Sequence, residues 1–186
     1  MKKVYKHVVI GSIVLAFTSV ICFYILRDTN DSLLRKELHS WIGYKFNFKD
    51  DLQLISGDVA LLDRPYKIVM YIDDMGCTSC NLKLREWSDM YETIFNKMMP
   101  DKLTIVILFD GRSTEYMLML LKSAQWEMPV FWDRDGVLNS RRPFPKQAKK
   151  RCMLLDEENK VELVGNPVYS RSVYELYIET LAKSRY

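Results

Sequence analysis

The sequence predicts an α/β domain with a mixed central sheet flanked by helices, preceded by one N-terminal transmembrane helix. Three observations predict it. Nineteen uncharged residues, Val8 to Leu26, lie close to the N-terminus. Beyond Arg64-Pro65, short apolar runs alternate with stretches of helical periodicity. A Cys-x-x-Cys motif, Cys77-Thr78-Ser79-Cys80, falls between one such run and the longest helical stretch.

The span VVIGSIVLAFTSVICFYIL would rise about 28 Å as a helix, enough to cross a bilayer core. A cleaved secretory signal would have a shorter apolar region and a small-residue cleavage site, which is absent here. Cys22 lies inside the span, and Ile21 before it is too bulky for a lipoprotein signal, so Cys22 reads as lipid-facing or buried. Lys2, Lys3 and Lys6 precede the span, which by the positive-inside rule keeps residues 1–7 cytoplasmic and puts the body outside the cytoplasm, where disulfides can form. The net charge is +3 and residues 1–27 hold +4, so the remaining chain carries −1. A near-neutral body argues against nucleic-acid binding. With 48% hydrophobic residues the body can bury a core, which excludes disorder.

Residues 27–62 read as a juxtamembrane segment. Leu33, Leu34, Leu38, Trp41 and Ile42 share a helical face that ends at Gly43, and 45–48 and 51–55 alternate as short strands. From residue 63 the α/β pattern begins. Strands are expected over Lys67–Ile72, Leu103–Phe109, Pro129–Trp132, Cys152–Leu155 and Lys160–Val164, and continuous runs such as KLTIVILF suit strands covered on both faces. Helices are expected over Cys77–Met99, Thr114–Ser123 and 172–183. In the first, Leu82, Leu84, Trp87, Met90, Tyr91, Ile94, Phe95 and Met98 follow 3.6-residue spacing and read as core. Ser172-Val173-Tyr174-Glu175 has the form of a capping box, with Tyr174 and Tyr177 on one half-buried face. Asp156-Glu157-Glu158-Asn159 reads as a turn between strands, and 134–151 as a loop. Phe131, Trp126, Trp132 and Met128 read as core or groove wall.

The chemistry rests on Cys77 and Cys80. Two cysteines three apart in a first helical turn can bring their sulfurs within bonding distance while the first stays exposed. The unpaired N–H groups and the dipole of a helix start favour a thiolate at Cys77, which would attack, and Cys80 would resolve the mixed disulfide. Zinc would need four ligands, and the body adds only Cys152 and His39, in neither case with ligand spacing. Asn81 stands where haem attachment needs His, so no cofactor is expected. A purely structural disulfide is the alternative reading of the pair.

Residues 66–183 resemble membrane-anchored bacterial thioredoxin-like proteins of the redoxin and thiol-disulfide-reductase group. The matching pieces are KIVMYIDDMGCTSCNLKLREW and CMLLDEENKVELVGNP. The resemblance implies a thioredoxin-like fold over 63–186 and disulfide exchange by Cys77 and Cys80. It implies disulfide-containing exported proteins as partners, a membrane electron donor, and a periplasmic or other extracytoplasmic site of action. A peroxidatic cysteine of the peroxiredoxin type is disfavoured, because Asp74 stands three residues before Cys77 where Thr or Ser would be expected. The chain departs from the resemblance twice: Gly76 replaces a tryptophan, and the proline expected near Lys150 is missing, Pro143 and Pro145 lying earlier. A second function class follows from those departures, a non-catalytic binding or redox-sensing module with a Cys77–Cys80 staple.

Arg141, Arg142, Lys146, Lys149, Lys150 and Arg151 put six cations and no acid into eleven residues. This run reads as a solvated loop, or as a source of positive charge beside the cysteine pair. Cys152 reads as a small buried hydrophobe, with a third exchanging thiol as the sharper alternative. His39 reads as a surface or packing residue, and Asp73-Asp74 as a solvated strand end.

Overall fold

Alternation of side chains on Leu103–Asp110 (β3) explains the architecture: Leu103, Ile105, Ile107 and Phe109 enter one apolar layer and Val106 and Leu108 the other, and none is exposed. A strand buried on both faces needs cover on both faces. The computed structural model describes residues 35–48, 52–73, 82–145, 147 and 150–184. The span 8–26, Cys22, Cys77 and Cys80 lie outside the described residues. The chain divides into two units, Met1–Ser40 and Trp41–Tyr186. A helix over 35–41 (α1) holds all the described residues of the first unit and ends on the first residue of the second.

The larger unit is a six-stranded mixed sheet. Besides β3 it contains β1 (Gln53–Ser56), β2 (Tyr66–Asp73), β4 (Val130–Trp132), β5 (Cys152–Leu155) and β6 (Val161–Val164), in the order β1-β4-β3-β2-β5-β6. β2, β3 and β4 are parallel, and β1, β5 and β6 run antiparallel to their neighbours. The pairing of β2 with β3 is continuous from Tyr66 opposite Leu103 to Asp73 opposite Asp110.

α2 begins as Leu84–Met90, passes through a π-helical turn at Tyr91–Phe95 and closes with Asn96–Met98. α3 is Glu115–Ser123, α4 Val137–Arg141 and α5 Arg171–Lys183. The connections β2–α2–β3 and β3–α3–β4 step the same way across the sheet, so α2 and α3 share one face. Trp87, Tyr91 and Phe95 of α2, Met117 and Leu121 of α3, and Tyr177 and Leu181 of α5 form a core there with Ile68, Met70, Ile105 and Leu154. The opposite face, Val69, Tyr71, Val106, Leu108 and Met153, is covered by Trp41, Phe46, Phe48, Phe144 and Leu138 of α4.

Several expectations change in detail. Of 45–48, only Lys45 forms a bridge, to Lys160, while Phe46 and Phe48 point into the core. β1 instead pairs with β4, so these two neighbouring segments reach opposite edges of the sheet. The turn after β1 demands Gly57, whose φ is +82° and where a Cβ would lie 2.4 Å from the Met128 carbonyl oxygen. α4 lies within the expected loop 134–151, and its first N–H groups are capped from a distance by Asp133. Ser170 rather than Ser172 caps α5, because its extended backbone lets its hydroxyl accept from Val173 N at 3.4 Å. Tyr177 is fully buried, not half-buried. The turn 156–159 forms as expected, with Asp156 Oδ1 accepting from Glu158 N and Lys160 N and Asn159 at φ 62°.

Candidate functional site

Each of the three parallel strands ends in an aspartate or is followed by one: Ile72-Asp73, Phe109-Asp110 and Trp132-Asp133. These carboxylates lie at the carboxyl edge of the sheet, where open α/β folds place their chemistry. Asp73 is opposite Asp110 in the register. Asp110 Oδ2 accepts a 2.6 Å hydrogen bond from the Tyr71 hydroxyl, and the Tyr71 ring stacks on Phe144 with centroids 3.8 Å apart. Burial first, then the Asp110 hydrogen bond, pushes the Tyr71 phenol far above its ordinary range. Asp133 is fully buried and accepts from Val137 N at 2.8 Å and Leu138 N at 3.1 Å. Burial raises its carboxyl above the usual range, and the two backbone N–H groups oppose that shift.

Residues 74–81 connect the end of β2 at Asp73 to Leu82, just ahead of α2. Cys77 and Cys80 belong to this connection and lie outside the described residues. An internal strand precedes the motif as expected, but the helix expected over Cys77–Met99 is interrupted at Lys83, whose left-handed backbone has φ 46°, so that α2 starts at Leu84.

Beside the end of β2 stands Arg151, the residue before β5. Its backbone carbonyl accepts from Tyr71 N at 2.9 Å, one step beyond the Met70–Cys152 pair. Its guanidinium pairs with Asp73 Oδ2 at 2.5 Å, and its Nε donates to the Pro145 carbonyl at 2.6 Å. The start of β5, where the resemblance places a proline, is therefore held by Lys150-Arg151, and no peptide bond among the described residues is cis.

The basic run is not uniformly solvated. Arg142 lies over the rings of Trp41 and Tyr44, 4.8 and 4.7 Å from their centroids, and Arg151 is in the ion pair. Lys146 and Lys149 lie outside the described residues. Cys152 is buried, its Sγ 3.7 Å from the Tyr177 hydroxyl, which donates to the Gly165 carbonyl at 3.0 Å. Burial pushes its thiol up to about 12, so it packs as a small hydrophobe and holds almost no thiolate near neutrality. His39 is exposed on α1. Among the described residues, no group of three or more His, Cys, Asp or Glu is arranged to hold a metal ion.

Sequence reasoning missed Tyr71, Asp110, Asp133 and the Asp73–Arg151 pair. The recurrence of Asp at the end of three successive apolar runs was the available signal.

No protein-family model matches the chain, and no curated protein matches it. Solved structures do. A protein from Chlorobium tepidum assigned as thiol:disulfide interchange protein DsbE superposes with a TM-score of 0.54 at 15% identity, covering 75% of this chain and 97% of its own. The thioredoxin domain of a thiol-disulfide oxidoreductase from Bacteroides vulgatus gives 0.50 at 13% identity, covering 73% and 96%. An uncharacterized thioredoxin-like protein from Porphyromonas gingivalis gives 0.50 at 17% identity, covering 66% and 78%. The chain thus has a thioredoxin-like α/β fold with a mixed sheet flanked by helices.

Proposed function

We propose that this chain is a membrane-tethered thiol:disulfide oxidoreductase, most simply a reductase of disulfides in exported proteins. The observation that carries the reading is the chain position of Cys77-Thr78-Ser79-Cys80, between internal strand β2 and helix α2 of a thioredoxin-like sheet. The Cys77 thiolate attacks a partner disulfide, breaks its S–S bond and releases one partner thiolate, which takes up a proton. Cys80, once deprotonated, attacks the mixed disulfide and releases the second partner thiol. Two electrons pass to the partner, and the Cys77–Cys80 disulfide is returned to dithiol by a membrane dithiol donor. The apolar span 8–26 supplies the tether to the bilayer, with residues 1–7 cytoplasmic and the folded body on the periplasmic or outer side. The near-neutral body supports protein partners and no nucleic acid.

A second reading has its own observation. Arg151, locked to Asp73, occupies the start of β5, where a partner's disulfide would approach a thioredoxin-like pair. On that reading the chain is a non-catalytic binding or redox-sensing module and the pair is a structural disulfide. Reduction of insulin by dithiothreitol separates the two. A catalyst accelerates it and loses the effect with Cys77→Ser, and Cys80→Ser accumulates a mixed disulfide. Equal rates with and without the protein would favour the module.

A further inference from the structure

We propose that the outer face of α3 is a self-association surface, on which two copies of this chain pack α3 against α3, antiparallel about a two-fold axis. The surface is independent of the disulfide chemistry proposed above. Between Glu115 and Lys122 every residue is apolar or aromatic: Tyr116, Met117, Leu118, Met119, Leu120 and Leu121. A helix that is apolar all round belongs in an interior, covered on every side. α3 is covered on one side only. Met117 and Leu121 enter the core, whereas Tyr116, Leu118 and Met119 are 47%, 40% and 57% exposed. Single exposed apolar side chains are ordinary, but three within four consecutive residues form a patch that marks an interaction site.

Helical geometry shapes the patch. At about 3.6 residues per turn, Met119 lies opposite the mean direction of Met117 and Leu121, with Leu118 and Tyr116 to either side. Glu115 and Lys122 are both exposed and share the Met119 face, four residues before it and three after it. On the Tyr116 side, Leu120 and Ser123 wall a groove of about 260 Å³ against residues 82–86, so the contact surface continues toward α2.

Charge selects the occupant. Glu115 and Lys122 stand seven residues, two helical turns, apart and bracket the patch with opposite signs. In an antiparallel pair centred between Leu118 and Met119, Glu115 of each copy meets Lys122 of the other, and Met119 packs on Leu118 and Met119 of the other. A parallel pair would set Glu115 against Glu115 and Lys122 against Lys122, which like-charge repulsion opposes. Among the described residues neither Glu115 nor Lys122 is in an ion pair of its own chain. An anionic lipid surface would accept the apolar side chains but offers Glu115 no counter-charge. A second copy supplies both signs in the reversed order that the face requires. A contact of this size sits at the low end of specific interfaces, so the dimer is reversible and concentration-dependent.

The test is sedimentation velocity of the full-length chain over a concentration series in density-matched detergent. The samples are wild type, Glu115→Lys, Lys122→Glu, an equimolar mixture of these two variants, and Met119→Asp. Wild type is expected to dimerise. Each charge reversal puts two like-charge contacts into its own dimer and is expected to weaken it about tenfold. In the mixture both charge contacts are attractive again, so the heterodimer is expected to recover near wild-type affinity. Met119→Asp, at the centre of the contact, is expected to abolish the dimer.

Monomer at every concentration overturns the proposal and leaves the face to another partner. Dimers that ignore the charge changes, as association through the span 8–26 would give, overturn it as well. So does weakening without recovery in the mixture. If a thermal melt shows either reversal unfolded, Glu115→Gln and Lys122→Gln take their place. Each removes both attractions from its own dimer and is expected to weaken it about threefold, and unchanged affinity overturns the proposal.

Discussion

Arg151 and Asp73 meet at 2.5 Å across the antiparallel β2–β5 pair, tying the start of β5 to the end of the strand that leads into Cys77-Thr78-Ser79-Cys80. The same arginine also holds the Pro145 carbonyl. Pro145, Arg151 and the end of β2 are therefore tied together, and a change at any of them should be felt at the others.

Phe144 fastens that loop from the other side. It stacks on Tyr71, and its ring also lies 4.8 Å from Trp41, in a buried aromatic layer. Truncation of a buried Phe costs about 3 kcal/mol or more through lost burial and the cavity left behind. Urea denaturation of Phe144→Ala is expected to show a loss of that size. A loss under about 1 kcal/mol would mean that the ring is not part of the core.

Asp133 gives the acid-side expectation. Its folded pKa is raised, so the folded state holds this proton more tightly than the unfolded one. Its contribution is then fully present below the unfolded value, near 4, and falls as pH rises toward the raised folded value. Asp133→Asn keeps an acceptor for the start of α4 and should flatten that part of the stability profile. Asp133→Ala removes the cap and should cost about 1–2 kcal/mol near neutrality. Thermal melts between pH 3 and 7 check both.

Cys152 gives the alkaline-side expectation. Its thiol is raised from 9.0 to about 12, and burial raises the phenol of Tyr177 beside it as well. Stability from the neutral thiol is complete below about pH 9 and is lost as pH rises from there toward 12. Cys152→Val should weaken this alkaline dependence. In the native wild-type chain Cys152 should resist iodoacetamide at pH 8 and react once urea unfolds the protein. Rapid native labelling of Cys152 would contradict the buried-thiol account.

The membrane tether makes a separate expectation. Full-length chain should stay with membranes after carbonate extraction, and residues 28–186 should be released. Release of both would remove the anchor from the proposal.

The strands and helices that carry the fold were legible because their periodicities are long. KLTIVILF reads as a doubly covered strand, and Trp87, Tyr91 and Phe95 mark the buried face of α2 as spaced. Pairing was less legible. Alternation around Phe46 and Phe48 shows a half-buried segment but not which edge it meets, and the sheet sends Lys45 to one edge and β1 to the other. α4 escaped notice because it is five residues long and its cap, Asp133, sits three residues ahead of the cap position. At the candidate site, the motif announces its chemistry, but the surrounding charges depend on register. Only the β2–β3 and β2–β5 pairings reveal that Asp73 stands beside Asp110 and Arg151.

The most direct measurement is the reduction potential of the Cys77/Cys80 pair, titrated against a dithiothreitol or glutathione buffer with Cys77→Ser as the control. A reductase account expects a two-electron couple near the thioredoxin value, about −270 mV, that disappears in the variant. A pair locked below about −300 mV that exchanges with no disulfide substrate would contradict it and leave a structural staple in a thioredoxin-like binding module.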